Sequence, residues 1–372
     1  VGEIMASRSL VAELSPTCEV VVSASTNTGM EVARRLYPKL EVIRFPLDPS
    51  PVIRRFLRRI QPEHVILMEL EVWPNFLKWS NRCGAPIAIV NGRITERSLR
   101  NYLRFHRSLP QFLRVTLFAA QDEANARRFV QLLDDDRRVV VTGNIKADGL
   151  QVGPLPQDPA QAEVQHWVAA GPDQNVLVAG STHGQEELLV FQAFQAASPG
   201  CRVILVPRHP ERAPEVIEAL AALGVRAQRL TRLRSGAERL DPTEPLIVDT
   251  VGEIGRFYGL ATLVFVGGSL IPHGGQNMLE PAARGKPVLY GPHTDNFLQE
   301  TALLEEVGAA IRVRDAADLE HQIRFLLGDP LARERMSQAG IQVALAQRGA
   351  TRRSVQALES RLGLPQHASS PE

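Results

Sequence analysis

Several apolar runs in this chain end on residues able to do chemistry. "MELEVWPN" closes one run with Glu69 and Glu71. Residues two apart on a strand share a face, and carboxylates are seldom buried unpaired, so at least one is expected to line an open cleft. "GNIKADG" closes another run with Lys146, placed to neutralise substrate charge or simply to be solvated. "ILVPRHPER" sets Pro207, Arg208, His209 and Pro210 after a third run, and an arginine there suits a two-pronged grip on phosphate. "PLIVDTVGEIGRFYGLA" carries Gly252 and Glu253 at a strand-to-helix turn. "TLVFVGGSLIPHGGQNMLEPAARG" adds Gly267, Gly268 and a helix beginning near Asn277. Helix amides beside glycines suit a phosphate group, and Glu280 in that first turn can accept two ribose hydroxyls. The bland alternative is a capping box, with Asn277 as cap and Glu280 as its partner. In "AGSTHGQEE", Ser181 and Thr182 read as caps of a helix holding Glu186 and Glu187. The tetrapeptide of "VGEIGRFYGL" also opens the chain, in "VGEIMASRSL", where it presents Glu3.

The elements that must hold these residues follow one rhythm: a short β-branched run, a small-residue turn, then an amphipathic helix. Strands are expected at "EVVVSAS", "LEVIRF", "HVILMEL", "APIAIVN", "VTLFAAQ" and "RVVVTGN", with helices such as "TGMEVARRLY", "PVIRRFLRRI", "PNFLKWSNRC" and "DEANARRFVQLL" between them. The stretch "QVGPLPQDPA" breaks the pattern with prolines and glycine. The rhythm then restarts at "NVLVAGS", "CRVILVP", "PLIVDT", "TLVFVGG", "KPVLYG" and "AAIRV". Apolar runs alternating with helices predict α/β architecture, with parallel sheets covered on both faces. Two doubly wound domains in tandem are expected, the strands' carboxyl ends facing a central cleft. The boundaries are drawn at 1–152 for the first domain, 153–160 for the linker and 161–350 for the second domain. Residues 351–372 are read as a last helix and a polar tail.

With 372 residues, 44% of them hydrophobic, the chain can build two ordinary cores. The net charge of +1 hides an asymmetry: residues 1–150 hold 22 Lys+Arg against 16 Asp+Glu, leaving 20 against 25 in the rest. The first half is thus expected to meet something anionic. In "VIRRFLRRI", Val52, Ile53, Phe56, Leu57 and Ile60 fall on one face and Arg54, Arg55, Arg58 and Arg59 on the other. That is an ordinary solvated face or, with the basic balance, a face for an anionic membrane surface. Nothing points to nucleic acid. Three scattered cysteines form neither a disulfide framework nor a metal cluster. No metal site of convincing spacing is present, "DDD" at 134–136 reads as a charged turn, and no G-x-x-x-x-G-K-[ST] loop argues for an ATPase.

Taken in order, "VGE", "ELEVWPN", "NGRITERS", "GNIK", "GSTH", "PRHPER", "DTVGEIG", "FVGGSL" and "GGQNMLEPAARGKPVLYGPHTDNF" resemble the 3-deoxy-D-manno-octulosonic acid (Kdo) transferases over nearly the whole chain. The resemblance implies a GT-B fold of two Rossmann-like domains. It implies inverting transfer of Kdo from CMP-Kdo to a lipid A precursor (lipid IVA), with no cofactor and no bound metal. By the same resemblance Glu3 is the general base, and Glu69 and Lys146 stabilise the transition state. CMP contacts fall on Pro207 and Arg208, on Val251, Gly252 and Glu253, and on Asn277, Met278, Leu279 and Glu280. Val251 stands where the family usually has Met, and Gln276 and Met278 stand for its usual His and Pro. The family begins with a membrane-anchoring segment and a first strand, so this chain, which starts with Val, is expected to lack both. It is expected to act at the cytoplasmic face of the bacterial inner membrane. Other readings of the architecture are a UDP-sugar transferase, a nucleotide-sugar epimerase and a binding module without activity.

Overall fold

A computed structural model of the chain describes residues 2–70, 72–105 and 110–365. The chain divides into two compact units, Val1–Gly149 with Gln347–Glu372, and Leu150–Ala346.

Among its described residues the first unit has six strands, at the runs expected for them: β1 (Val21–Ala24), β2 (Glu41–Arg44), β3 (Val65–Met68), β4 (Ile87–Gly92), β5 (Leu117–Ala120) and β6 (Val139–Val141). They form two parallel sheets, β1-β2 and β3-β4-β5-β6. The central strands are apolar throughout because both faces are covered. Ile87 and Ile89 of β4 join one buried cluster, with Ile53, Leu57, Phe76 and Leu77 from helices Ser50–Ile60 and Pro74–Arg82. Ala88 and Val90 join the opposite cluster, with Leu10 and Leu14 of helix Gly2–Leu14. Val355, Leu358 and Leu362 complete that second cluster, so the last helix, Ala350–Leu362, is part of the first unit rather than an appendage.

The second unit is one seven-stranded sheet of β7 (Val176–Thr182), β8 (Arg202–Pro207), β9 (Gln228–Arg229), β10 (Leu246–Ile247), β11 (Leu263–Val266), β12 (Val288–Tyr290) and β13 (Ala310–Arg312). Its order is β13-β12-β11-β7-β8-β10-β9, and every pairing is parallel. Along β7, Val176 and Val178 face one buried cluster while Leu177 and Ala179 face the other. Each buried Val or Leu contributes about 1.5–3 kcal/mol of transfer free energy, which is why these strands read as unbroken hydrophobic runs. The chain winds outward from β7 through β8, then returns to β7's other side with β11. The order reverses between β7 and β11, the position where open α/β sheets bind ligands. The proline-rich stretch stays with this unit: the Gly153 amide donates to the Ala283 carbonyl at 2.8 Å.

Candidate functional site

In the first unit the strand β3 stops at Met68, and Glu69 follows with φ of 57°, a left-handed backbone that non-glycine residues seldom adopt. Glu69 is therefore not on the strand face predicted for it, and Glu71 lies outside the described residues. The Glu69 amide still donates to the Val90 carbonyl at 2.9 Å, which fixes the turn. Lys146 rides on a short 3-10 turn, Ile145–Gly149, after β6. Its ammonium reaches the Glu69 carboxylate at 2.6 Å, an ion pair with both partners partly open to solvent. Asn91, fully buried with φ of 58°, accepts from the Ile145 amide at 3.1 Å and so anchors the lysine's turn. Asp148 of the same turn accepts from the amides of Gly349 at 2.6 Å and Thr351 at 2.5 Å, capping the last helix.

Glu3 stands in the first turn of helix Gly2–Leu14, where a carboxylate suits the positive end of the helix dipole. Buried Leu10 and Leu14 hold that helix, with a 2.8 Å hydrogen bond between the hydroxyls of Ser7 and Tyr37. Glu3 and Glu69 line one pocket of about 330 Å³, together with Leu70, Arg93, Thr95, Ser98 and Tyr102. The structure thus joins Glu3, Glu69 and Lys146 within one unit. The last four lining residues belong to or follow "NGRITERS", a motif that carried no site residue in the sequence.

The second unit gathers the remaining candidates at the carboxyl ends of its strands. The amides directly after β11 are not free to receive a phosphate, because Glu186 already holds them. Its fully buried carboxylate accepts from Gly268 at 2.6 Å, Ser269 at 3.0 Å and Leu270 at 2.8 Å. Burial pushes the Glu186 pKa up, and these amides pull against that. Glycine is required at 267, since a Cβ there would lie 2.5 Å from the Thr182 Cα and 2.8 Å from a Glu186 oxygen. Nor do Ser181 and Thr182 cap the following helix, whose N-terminal flanking residue is Gln185.

Arg208 is exposed directly after β8, and its amide donates to the Thr182 carbonyl at 3.0 Å. Pro207 before it is buried. Val251 is 85% exposed, and Gly252 has φ of 89° with open space beside it. Glu253, by contrast, is engaged internally. It accepts both prongs of Arg234, at 2.9 and 2.8 Å, and the Thr250 hydroxyl at 2.5 Å. The Arg234 bonds hold the Glu253 carboxyl below its usual range. What this turn offers a ligand is therefore the backbone of Val251 and Gly252.

Asn277 accepts from the Leu279 amide at 3.1 Å, two residues on, rather than in the capping box of the alternative reading. Met278 and Leu279 are buried in the core, so only their backbones can serve a ligand. Glu280 has an oxygen 3.4 Å from where a Cβ on Gly255 would stand, so this glycine makes room for the carboxylate. Burial raises the Glu280 pKa, while the charges of Arg284 and Arg208 oppose the shift. Tyr258, wholly buried, bonds Ser181 and feels the Glu280 charge.

Three histidines complete this end of the sheet. The His183 and His273 rings stack with centroids 3.8 Å apart, and His209 stands edge-on to His183 at 5.8 Å. Burial, then the His273 charge, lowers the His183 pKa to about 4, so it is neutral at physiological pH. The sequence assigned no role to them, although all three lie in its quoted motifs. Among the described residues no group of three or more His, Cys, Asp or Glu has metal-binding geometry.

The parallel sheets and their switch point define the class as a GT-B fold. Solved structures agree on fold alone. HepE from Anabaena, in complex with UDP, aligns with a TM-score of 0.64 at 14% identity, covering 97% of this chain and 96% of its own. UDP-GlcNAc 2-epimerase from Neisseria meningitidis aligns at 0.63 and 12% identity, covering 96% and 97%. Sequence comparison is more specific. Residues 1–149 match the family described as 3-deoxy-D-manno-octulosonic-acid transferase (kdotransferase). The 3-deoxy-D-manno-octulosonic acid transferase of Haemophilus influenzae is 33% identical over 371 residues, covering 96% of this chain and 84% of its own. That of Bordetella pertussis is 34% identical over 97% of this chain and 86% of its own. The chain belongs to the Kdo transferase family and is a glycosyltransferase.

Proposed function

We propose that the chain transfers Kdo from CMP-Kdo to a hydroxyl of a lipid A precursor, lipid IVA, with inversion at the anomeric carbon and without a metal ion. The observation that carries this reading is the pocket shared by Glu3 and Glu69, with Lys146 bound to the latter at 2.6 Å. A sugar hydroxyl becomes a nucleophile as it loses its proton, and Glu3 is the carboxylate placed to take it. The hydroxyl oxygen forms the new ketosidic bond while the bond to the CMP phosphate oxygen breaks, and CMP departs with the electron pair. Attack opposite the leaving group inverts the configuration. Lys146, oriented by Glu69, compensates negative charge developing in the transition state. Arg208 and the backbones of Val251, Gly252 and Asn277 to Glu280 receive CMP, with Glu280 accepting ribose hydroxyls. A nucleoside monophosphate is a good leaving group, so cationic side chains supply the compensation a metal gives elsewhere.

The acceptor's lipid requires a membrane face. Exposed Arg55, Arg58 and Arg59, beside exposed Leu47 and Val52, suit the anionic cytoplasmic surface of the inner membrane. No helix among the described residues is long and apolar enough to cross a membrane.

The test incubates the protein with CMP-Kdo and a tetraacylated lipid A precursor. The expected result is CMP release matched by a Kdo-bearing lipid. Absence of CMP release with lipid present sinks the reading, and turnover of UDP-N-acetylglucosamine in a parallel reaction would favour an epimerase instead.

A further inference from the structure

Within the second unit lies a cavity of about 460 Å³, within the roughly 300–1,000 Å³ typical of small-molecule sites, whose wall includes Arg284 to Lys286, shortly after Glu280 in sequence. Helices Pro159–Val168 and Pro330–Ala346 contribute walls, and the turn Gly285–Lys286 closes one side. Two features of the wall are not explained by the fold.

The first is Gln161. It is 1% exposed, and neither its side-chain nitrogen nor its side-chain oxygen has a hydrogen-bond partner. Its backbone amide is accounted for, since it donates to the Asp158 cap at 2.7 Å. A buried, unpaired amide is a standing cost that a leucine of similar size would remove. Native proteins keep such groups where something else uses them.

The second is Lys286. It is largely buried, it has no carboxylate partner among the described residues, and burial alone depresses its pKa. The other charged groups on the wall are already engaged. Arg284 donates to the Gln151 side chain, and Glu334 accepts from Gln338 at 2.7 Å. Lys286 is thus the available cation, and the wall carries a positive surplus.

An unsatisfied amide offers a donor and an acceptor; an unpaired ammonium asks for an anion. We propose that this cavity is a second ligand site, which binds a small hydroxylated anion with Lys286 on its acid group and Gln161 on its hydroxyls. The proposal does not rest on the transfer reaction, although Arg284 of this wall also acts on the charge of Glu280.

Titration calorimetry on the full chain tests this with four probes: gluconate, glucose 6-phosphate, inorganic phosphate and glucose. A carboxylate and a phosphate source are thereby separated, and glucose controls for charge. At least one of the first two is expected to bind, with glucose silent. Lys286→Met and Gln161→Leu should each weaken that binding by about tenfold or more while the protein stays folded by circular dichroism. Repeating the titration with CMP at saturation assigns any probe that CMP displaces to the nucleotide site, and counts against the proposal. Silence with all four probes overturns it, as does equal affinity in both variants and the parent. Inorganic phosphate binding as tightly as glucose 6-phosphate would mark an unselective anion site and overturn it too.

Discussion

At the residue scale, the groups in this chain differ in how completely the fold occupies them. Glu186 and Glu253 are consumed by internal bonds, whereas Glu3 and Glu69 border open space. Removing the first kind should cost stability; removing the second kind should cost rate. Glu186→Ala would strand the amides of Gly268, Ser269 and Leu270, at about 1–3 kcal/mol each before relaxation. A loss of at least about 3 kcal/mol in urea denaturation is expected, and a change under 1 kcal/mol would refute the role. Glu3→Gln is nearly isosteric and should cost no more than about 1 kcal/mol of stability, the worth of its charge at the helix N-terminus, while lowering kcat by roughly 10²–10⁴. Activity near the parent's would remove Glu3 as the base. His183 adds a pH dependence whose sign is fixed. The unfolded chain takes up this proton near pH 6.5, but the native imidazole resists it until about 4. This contribution is fully present above pH 6.5 and is lost as pH falls from there to about 4. His183→Asn should flatten the fall in stability across that window. An unchanged slope in denaturation midpoints would assign the dependence to other groups.

At the element scale, much was legible because continuous burial writes itself as continuous hydrophobicity. β4 and β7 are covered on both faces, so "APIAIVN" and "NVLVAGS" read as strands without help. β9 was not legible: Gln228 and Arg229 form a two-residue edge with no apolar run to mark it. A turn was legible where backbone conformation demands glycine, as at Gly252. It was illegible where the bond spans distant sequence. Glu186 looked like one more acidic residue in a first helical turn, because its partners lie more than eighty residues away. Asn91 was hidden similarly, since its acceptor role depends on Ile145 arriving beside it. The sequence leaves the last helix as a segment by itself, because its amphipathic pattern does not say which core it joins. Its packing argues that the first unit needs it. Leu358 is fully buried, and Asp148 caps the helix from the turn that carries Lys146. Leu358→Ala should cost about 2–5 kcal/mol. It should also lower transfer activity at temperatures where the fold persists, because the lysine's turn is tied to that helix. Intact stability in thermal unfolding would contradict this account of the packing.

At the scale of the whole molecule, the near-zero net charge conceals a directional field. The basic surplus lies in residues 1–150, and helix Ser50–Ile60 concentrates it. Ile53 and Leu57 bury one side of that helix, while Arg54, Arg55, Arg58 and Arg59 are exposed. Arg54 lies over the Trp79 ring at 5.1 Å and Arg82 over it at 4.8 Å, so part of this charge is held in place by the protein itself. Val52, expected on the apolar face, is instead 44% exposed, and Leu47 is 77% exposed nearby in sequence. Cations flanked by exposed aliphatic groups are what an anionic bilayer surface binds, at about 1 kcal/mol per basic residue. Among the described residues Arg58 makes only an exposed 3.3 Å bond to the Arg54 carbonyl of its own helix, and neither it nor Arg55 or Arg59 lies over Trp79, so replacing all three with Gln tests the surface without disturbing that ring. Binding to phosphatidylglycerol-containing vesicles should fall by about 10²-fold, the equivalent of ~3 kcal/mol. Raising ionic strength should weaken the parent more than the variant, because the Debye length shortens to roughly 8 Å near physiological salt. Vesicles of phosphatidylcholine alone should bind neither protein appreciably. If the triple variant sediments with anionic vesicles as well as the parent does, the helix is an ordinary solvated face and the lipid acceptor must be approached by another surface.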